Sequence, residues 1–155
     1  MAYNQQPMAN PGMSVGGGNR NVKNLPMNAD GRAWSHGFCD CFGDCGTCVV
    51  ACCCPCIVYG QVANRYEHLT QQGFPDPDKG GCCNSACMIH GLLTACLGAG
   101  FIMQFMKRGD IRSRYNISGG GCGDCMAAWC CAPCELTQES RELQLEEESF
   151  GGKQG

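Results

Sequence analysis

The chain has 155 residues and a formal net charge of −3, and it contains 17 cysteines and 23 glycines. This length allows one modest hydrophobic core and not two, and the negative charge argues against a nucleic-acid partner. Leu, Ile, Val and Phe are too sparse to build a dry core alone, so disulfides, metal, lipid or self-association must help to hold the fold together.

The first 31 residues are polar and rich in Gly, Asn and Pro, a composition typical of a disordered tail. Met1 to Gly18 contains no charged stretch followed by an apolar run, so we expect no secretory signal. An unsecreted chain meets a reducing cytosol, where structural disulfides are rare. The odd cysteine count would also leave one thiol over even in full pairing. We therefore expect most cysteines to be thiols or thiolates.

The first uncharged run is Cys45 to Asn64, and its 20 residues would just span a bilayer as a helix. Pro55 and the glycines weaken such a helix, so a re-entrant or shallow membrane segment is an equally good prediction. Residues 66–81, which are polar and contain a turn-rich loop at residues 73–78, separate this run from the next.

The second apolar run, Ala86 to Met106, is the better candidate for a transmembrane helix. The alternative is a buried helix of two halves broken at Gly98. Positive charge next to a membrane segment marks its cytoplasmic side and attracts anionic lipid. A hairpin of the two runs would therefore place both termini in the cytoplasm. The basic residues that follow the run are Lys107, Arg108, Arg112 and Arg114.

Four Cys-x-x-Cys pairs have the spacing that lets two thiolates reach one tetrahedral ion from a single turn. There is also a short internal repeat, because Gly-Asp-Cys followed by Cys-Cys-x-Pro-Cys occurs at residues 43–56 and again at residues 123–134. These two segments are called the echo elements. Two such elements facing each other would supply sulfur for one or two soft-metal sites. The predicted metal ligands are Cys45, Cys48, Cys53, Cys54, Cys56, Cys122, Cys125, Cys130, Cys131 and Cys134.

Two further groups combine thiols with a histidine, although His90 could equally be a satisfied histidine in an apolar segment. Thiolate ligands favour zinc, cadmium, copper(I) or iron–sulfur clusters. The spacing is too irregular for a cluster, so zinc or cadmium is the predicted ion. Two other interpretations of the thiols are packing as small hydrophobes, as for Cys96, and palmitoylation of Cys52 to Cys56. The two groups are Cys82, Cys83 and Cys87 with His90, and Cys39 and Cys41 with His36.

Residues 134–150 are predicted to be helical, with Leu136 and Leu143 seven apart on one side. Glu146 to Glu148 oppose the helix dipole, so the last turn should fray. No Ser-His-Asp order, phosphate loop or zinc-hydrolase motif is present, and no βαβ pattern surrounds a Cys-x-x-Cys pair. The chain is therefore not expected to be an enzyme.

The segment Cys48–Cys56 resembles the C-[C/L]-x4-C-P-C signature of the placenta-specific-eight family, with Val49 at the second position in place of Cys or Leu. Residues 112–117 and 130–143 match further parts of the family's layout in the same order. The resemblance covers about residues 33–145. It implies a plasma-membrane protein that oligomerises and moves or excludes zinc and cadmium, as plant cadmium resistance members do, or one that controls cell number and growth. It implies no settled catalytic activity.

We therefore predict a small, mostly α, cysteine-rich fold. It consists of a disordered polar tail (1–31), one cysteine-rich domain (32–145) and an acidic tail (146–155). Two apolar helical segments form a membrane hairpin or re-entrant pair with Cys-rich loops, and metal is one means of stabilising it. The predicted function is tolerance of divalent metal, zinc or cadmium, by transport or sequestration in a homo-oligomer at the plasma membrane. The alternative is a non-transporting scaffold or growth regulator with structural metal or palmitoylated cysteines, in which residues 135–150 contact the partner.

Overall fold

The computed structural model describes residues 21, 23, 25–26 and 28–151, so most of the predicted disordered tail and the last residues of the acidic tail lie outside the described residues. Within them the chain is helical, with two isolated bridges and no strand, which confirms a small, mostly α fold. A short 3-10 helix at Asp40–Asp44 precedes six α-helices. These are α1 (Cys45–Cys53), α2 (Pro55–Gln71), α3 (Ser85–Leu97), α4 (Gly100–Tyr115), α5 (Gly121–Cys130) and α6 (Ala132–Gly151).

The first uncharged run forms two helices with a sharp bend between them. Asp44 caps α1 by accepting a hydrogen bond from the Thr47 N–H at 3.2 Å. α1 stops before Cys54 because the residue before a proline disfavours the α conformation. Pro55 then begins α2, where its missing N–H is not needed. The 3-10 helix and α1 together make an angle of 117° with α2.

The second apolar run is also two helices, which confirms the break of the alternative interpretation but not its burial, because Met88, Leu92 and Leu97 are exposed. Gly98 adopts a left-handed conformation (φ 62°) that favours glycine, and its N–H donates to the Thr94 carbonyl at 3.1 Å to close α3. α4 begins two residues later at Gly100, where a Cβ would collide with the Thr94 hydroxyl. The break therefore follows from the left-handed backbone of Gly98 and from the lack of a side chain at Gly100.

No single helix in residues 28–151 is both long and apolar enough to cross a bilayer. The helix over Ala86–Met106 is not continuous, because α3 has 13 residues and ends at Leu97, and α4 begins at Gly100. The bent pair Asp40–Cys53 and Pro55–Gln71 does reach the length and composition of a span when both parts are taken together. A broken span or re-entrant segment at the first run is thus still compatible with the fold.

The two echo elements also share a backbone conformation at the residue that ends the short helix. Cys54, which ends α1, has φ −140° and ψ 76°, and Cys131, which ends α5, has φ −146° and ψ 73°. In both places a short apolar helix stops at a cysteine, and a longer helix begins with a proline in its first turn, Pro55 in α2 and Pro133 in α6. The two elements share one way of breaking a helix.

α2 and α6 supply much of the core. Val58, Val62 and Leu69 of α2 belong to the same buried cluster as Leu136 and Leu143 of α6. Both of these leucines are fully buried, which confirms the helix and the common side predicted for them. α6 runs on to Gly151, so residues 146–151 of the predicted acidic tail are part of this helix.

The basic residues that follow the second apolar run are used inside the domain. Arg108 and Arg112 pair with Asp124 at 3.0 and 2.5 Å, and Arg114 pairs with Glu146 at 2.8 Å. Carboxylates from later helices pair with these guanidinium groups, so the basic cluster has less free positive charge to attract anionic lipid than the sequence predicted.

Candidate functional site

The thiols are the most reactive groups of the molecule, and most of them are accessible. A disulfide joins Cys131 to Cys134, and the other fifteen cysteines are free. Most of those fifteen are exposed, although cysteine usually packs as a small hydrophobe. Cys96 is among the exposed ones, so hydrophobic packing does not account for it. The less exposed free thiols are Cys41, Cys48, Cys56 and Cys87.

One set of sulfur atoms, the α1 thiol group, forms where α1 meets the start of α6. Its members are Cys41, Cys48, Cys52 and Cys134. The Cys48 thiol is hydrogen-bonded to Cys41 and to Cys52, one turn further along α1. The Sγ atoms of Cys41 and Cys134 are 3.9 Å apart. Desolvation, followed by the bond with Cys41, raises the pKa of Cys48 to about 11.

A second set, the α3 thiol group, forms where the start of α2 lies against the start of α3. Its members are Cys56, Cys82, Cys83 and Cys87. The Cys87 thiol is hydrogen-bonded to Cys56, and the Cys83 thiol to Cys82. Desolvation, followed by the bond with Cys56, raises the pKa of Cys87 to about 11, and the bond with Cys82 raises the pKa of Cys83.

Close approach of two helices creates the α3 thiol group. A Cβ at Gly60 of α2 would lie only 2.7 Å from the Cys87 Cβ, so glycine is needed for this separation. Asn84 caps α3 by accepting from the Cys87 N–H at 2.9 Å, and its amide donates to the Gly60 carbonyl at 2.7 Å. One glycine and one capping asparagine therefore position Cys87 next to Cys56.

Neither group is an assembled metal site. In the part of the chain that the structure describes, no three His, Cys, Asp or Glu side chains are arranged to hold a metal ion. Cys134 cannot act as a thiolate ligand while its sulfur is bonded to Cys131, so the contact between Cys41 and Cys134 at 3.9 Å could supply two thiolates to a metal ion only after that disulfide is reduced. Thiols with a raised pKa are protonated at neutral pH, and metal binding there would release protons.

The thiols that meet differ from those predicted to meet. The α1 thiol group brings Cys48 and Cys52 of the first echo element close to Cys134 of the second through Cys41, whereas Cys56 touches Cys87 of α3 and no thiol of the second element. Cys52 lacked any predicted ligand role, although its i, i+4 spacing from Cys48 is a helical signal that could have indicated it. Six predicted ligands are exposed and lie outside both groups, and their role stays a prediction. They are Cys45, Cys53, Cys54, Cys122, Cys125 and Cys130.

His90 lies in the core, away from solvent. It is 1% exposed, its ring stacks on Tyr59 with centroids 4.5 Å apart, and its Nε2 lies 3.0 Å from the Gln104 side-chain nitrogen. Burial lowers the pKa of His90, so its imidazole is neutral at pH 7. This environment is closer to the alternative interpretation of a core histidine than to a metal ligand, although only Nε2 is satisfied and Nδ1 is buried without a hydrogen-bond partner among the described residues.

A network of buried ion pairs, which sequence reasoning missed, holds α6 against the rest of the domain. Glu139 is fully buried, and burial, followed by the charge of Glu135, raises the pKa of Glu139 well above its usual range. Burial likewise raises the pKa of Glu135 to about 7. The sequence did contain a signal for this network, because residues 107–114 are rich in arginine and the residues after 134 are rich in glutamate. The ion pairs that reach α6 are Arg32–Glu142, Arg65–Glu147 and Arg114–Glu146, while Arg108 and Arg112 both pair with Asp124 of α5 and Arg108 Nη1 lies 3.7 Å from Glu139.

Several helices also leave large apolar side chains exposed. Such surface is normally covered by a partner or a membrane when it is contiguous. On α1 and α3 the exposed residues include Val49, Met88, Leu92 and Leu97, and on α4 and α5 they include Ile102, Met106, Met126 and Trp129.

A cavity of about 640 Å³ lies between residues 33–38, the Gly-rich turn at 118–120, α5 and the side chains of Arg108 and Gln138. Trp34, Phe38 and Met126 line it with apolar surface, and Arg108 adds a charged group. The size lies within the range of small-molecule sites.

Comparison with known proteins gives one family match and several similar relatives. The model of the PLAC8 family matches residues 34–142. The protein Plant Cadmium Resistance 1 of Arabidopsis thaliana is 42% identical over 113 residues, which cover 72% of this chain and 67% of the relative. Plant Cadmium Resistance 2 of the same species is 40% identical over 76% of this chain and 70% of its own length. Cell number regulator 1 of Zea mays is 35% identical over 73% of this chain and 54% of its own length. No solved structure matches.

Proposed function

Because the chain belongs to the PLAC8 family, we propose that it is a membrane-associated protein, and not an enzyme, that gives tolerance of zinc or cadmium by binding these ions through thiolates. The observation that carries the proposal is the 42% identity to a protein named for cadmium resistance, in a chain whose family match includes every cysteine. Transport and sequestration both begin with this binding step.

The α3 thiol group is the better candidate for first capture of the ion. All four of its thiols are free, whereas Cys134 of the α1 thiol group is held in a disulfide. Cys82 and Cys83 are exposed, so an ion can reach them from solvent, while Cys56 and Cys87 are already in contact. Four thiolates form a tetrahedral shell that suits zinc and cadmium equally.

Membrane association is supported by the exposed apolar side chains of α1, α3, α4 and α5 and by the bent helix pair. Burial of such surface in lipid would stabilise the attached state by about 25 cal/mol for each Å² removed from water. A path across the bilayer cannot be built from one bent pair, so we propose that several copies assemble at the plasma membrane.

Metal tolerance of cells tests this proposal. Expression of the full chain in cadmium-sensitive cells is expected to raise the tolerated cadmium or zinc concentration and to change the metal content of the cells. The double variant Cys56→Ser/Cys87→Ser should lose this effect. Cys96→Ser is the matched control, because Cys96 is a free thiol that belongs to neither group. Equal tolerance with and without the protein would contradict the proposal.

A second candidate is a non-transporting growth regulator, because the chain is also 35% identical to a protein named as a cell number regulator. The predicted contact surface, residues 135–150, needs revision, since most of α6 up to Glu146 is buried. Metal analysis of the purified protein followed by ion flux in liposomes separates the candidates. Stoichiometric zinc without flux would favour the regulator, and flux would favour transport.

A further inference from the structure

The disulfide between Cys131 and Cys134 does little to hold the fold together. Its two cysteines are three positions apart, at the junction of α5 and α6. In the loop-closure account a disulfide stabilises a fold by closing a long loop of chain, and this one closes almost none. Local Cys-x-x-Cys disulfides are typical of sites that exchange thiols, so the role of this bond is to be sought in its reactivity.

A third sulfur atom lies against this bond. The Cys41 Sγ is 3.9 Å from the Cys134 Sγ, and Cys41 is only 8% exposed. Cys134 has no S–H in the disulfide, so this contact joins a free thiol to a disulfide sulfur. Attack of a thiolate on a disulfide sulfur is the step by which a disulfide moves from one pair of cysteines to another.

α6 itself holds Cys41 in this place. Arg141 of α6 donates to the Asp40 carbonyl at 2.7 Å and pairs with the Asp40 carboxylate at 3.0 Å. A Cβ at Gly43 would lie 2.5 Å from Arg141 Nη1, so the 3-10 helix packs closely on this guanidinium. Cys134 and Arg141 are seven positions apart, which is about two helical turns, and they therefore share one side of α6. The contact that places Arg141 against the 3-10 helix also places Cys134 against Cys41.

Cys131 is well placed to leave as a thiolate. It directly precedes α6, and its carbonyl accepts a hydrogen bond from the Glu135 N–H at 3.1 Å, so it is the N-cap of this helix. Negative charge at the N-terminus of a helix is stabilised by the helix dipole, and a sulfur whose charge is stabilised leaves more readily. Attack at Cys134 therefore releases the sulfur that α6 stabilises.

We propose that Cys41, Cys131 and Cys134 form a thiol–disulfide exchange centre, in which Cys41 displaces Cys131 from Cys134. The Cys41 thiol gives its proton to solvent and its sulfur bonds to the Cys134 Sγ. The bond between Cys131 and Cys134 breaks with its electron pair left on Cys131, which takes up a proton. One disulfide and fifteen free thiols are present before and after the step, so it needs no oxidant or reductant.

The exchange converts a local link into a tertiary one. Cys41 and Cys134 are 93 positions apart, so a bond between them fastens the 3-10 helix to α6 and encloses far more chain than the starting bond does. It also releases the Cys131 thiol and removes Cys41 from the free sulfurs of the α1 thiol group. The proposal goes beyond metal binding and does not depend on it.

The full chain, purified without reductant and kept under argon at about pH 8, tests the proposal. After acid quenching and alkylation with N-ethylmaleimide, trypsin and endoproteinase Asp-N release Cys41 on residues 40–43 and both Cys131 and Cys134 on residues 124–141. The starting disulfide lies within one of these peptides, whereas the exchanged disulfide links the two. We expect the linked peptides to accumulate while the number of free thiols stays at fifteen.

Cys131→Ser is the decisive variant, because it removes the leaving sulfur and frees Cys134 for Cys41. Oxidised glutathione, added as a small disulfide oxidant, should form the bond between Cys41 and Cys134 and be reduced to glutathione. We expect roughly tenfold more linked peptide than in Cys131→Ser/Cys41→Ser. Cys39→Ser is the matched control, because Cys39 is exposed and lies on a separate peptide, and it should form the link as the unmodified chain does.

Three results would overturn the proposal. Absence of the linked peptides from both the unmodified chain and Cys131→Ser would show that Cys41 does not reach Cys134. Linked peptides in equal amount in Cys134→Ser would assign the exchange to another cysteine of residues 124–141. Links that appear only as free thiols are lost would show oxidation in place of exchange. Metal tolerance does not enter this test, so its failure leaves the proposed function untouched.

Discussion

The two echo elements have the same break in the backbone and different surroundings. After Cys54, helix α2 buries an apolar face and places Cys56 against α3 with its thiol free. After Cys131, helix α6 closes a disulfide to Cys134 and buries a row of glutamates, including Glu139 and Glu142. One element therefore leads into a group of free thiols and the other into an ion-pair network.

This contrast shows how little of a thiol's role is set by a short motif. Cys-Cys-x-Pro-Cys is accompanied by a helix break one or two residues before the proline, at Cys54 directly before Pro55 and at Cys131 two residues before Pro133. The partners of the cysteines depend on the buried face of the long helix that follows. An apolar face packs against any complementary helix, whereas a buried acidic face requires arginines from elsewhere in the chain.

The largest expected effect concerns the ion-pair network that follows the second echo element. Glu142→Ala should lower the free energy of unfolding by about 3–5 kcal/mol, because it leaves a buried arginine without its carboxylate. Arg32 Nη2 lies 2.5 Å from Glu142 Oε1, and the Ser35 N–H donates to Oε2 at 3.0 Å. Urea denaturation measures the loss. Asp40→Ala, which breaks the more exposed pair with Arg141, should cost only about 0–1 kcal/mol; similar losses in the two variants would contradict the prediction.

The thiol side of the comparison depends on Gly60. Gly60→Ala should lower the free energy of unfolding by about 1–3 kcal/mol, because the new Cβ overlaps Cys87 and the capping amide of Asn84. Gly109→Ala is the control in open space within a helix, where alanine should raise stability by about 0.5–1 kcal/mol. If both variants gained stability, the close approach of α2 and α3 would be refuted.

A smaller effect concerns how the stability of the fold depends on pH through Glu139 of α6. The pKa of Glu139 is raised by burial, so its protonated form stabilises the fold below the unfolded-state value of about 4.5, and this contribution is lost as the pH rises through the native pKa. Glu139→Gln keeps the shape without titrating. Thermal unfolding from pH 5 to 8 should show a flatter profile for the variant, by at most one proton or about 1.4 kcal/mol per pH unit. Parallel profiles would mean that Glu139 is ionised in the native protein.

The smallest expected effect is a difference in the reactivity of individual thiols, and it does not involve a change in stability. Raised pKa values of about 11 predict that Cys48 and Cys87 react slowly with iodoacetamide at pH 8, and that their rates rise about tenfold per pH unit toward pH 11. Peptide mass spectrometry after timed labelling measures each rate. Rates that stay constant with pH would indicate that access, and not ionisation, limits the reaction.

Some of the fold could be predicted from neighbouring residues. Pro55 indicated the weakness of the first apolar run, and Gly98 indicated the break in the second. The heptad spacing of Leu136 and Leu143 predicted the buried side of α6. The candidate site was harder to predict, since Cys56 and Cys87 are 31 positions apart and meet only because Gly60 allows the helices to approach.

The sequence by itself determined the helices, their breaks and the abundance of thiols, because proline, glycine and capping side chains act within a few residues of themselves. Only the tertiary structure decided which thiols touch and which arginines neutralise the glutamates of α6. It also decided that Arg108 lies buried against Asp124 and lines a cavity, when the sequence alone suggested a charge at a membrane surface. The physical reason is that contacts and burial depend on how helices pack across long sequence separations, and a burial environment sets both the pKa of a group and the partners it needs.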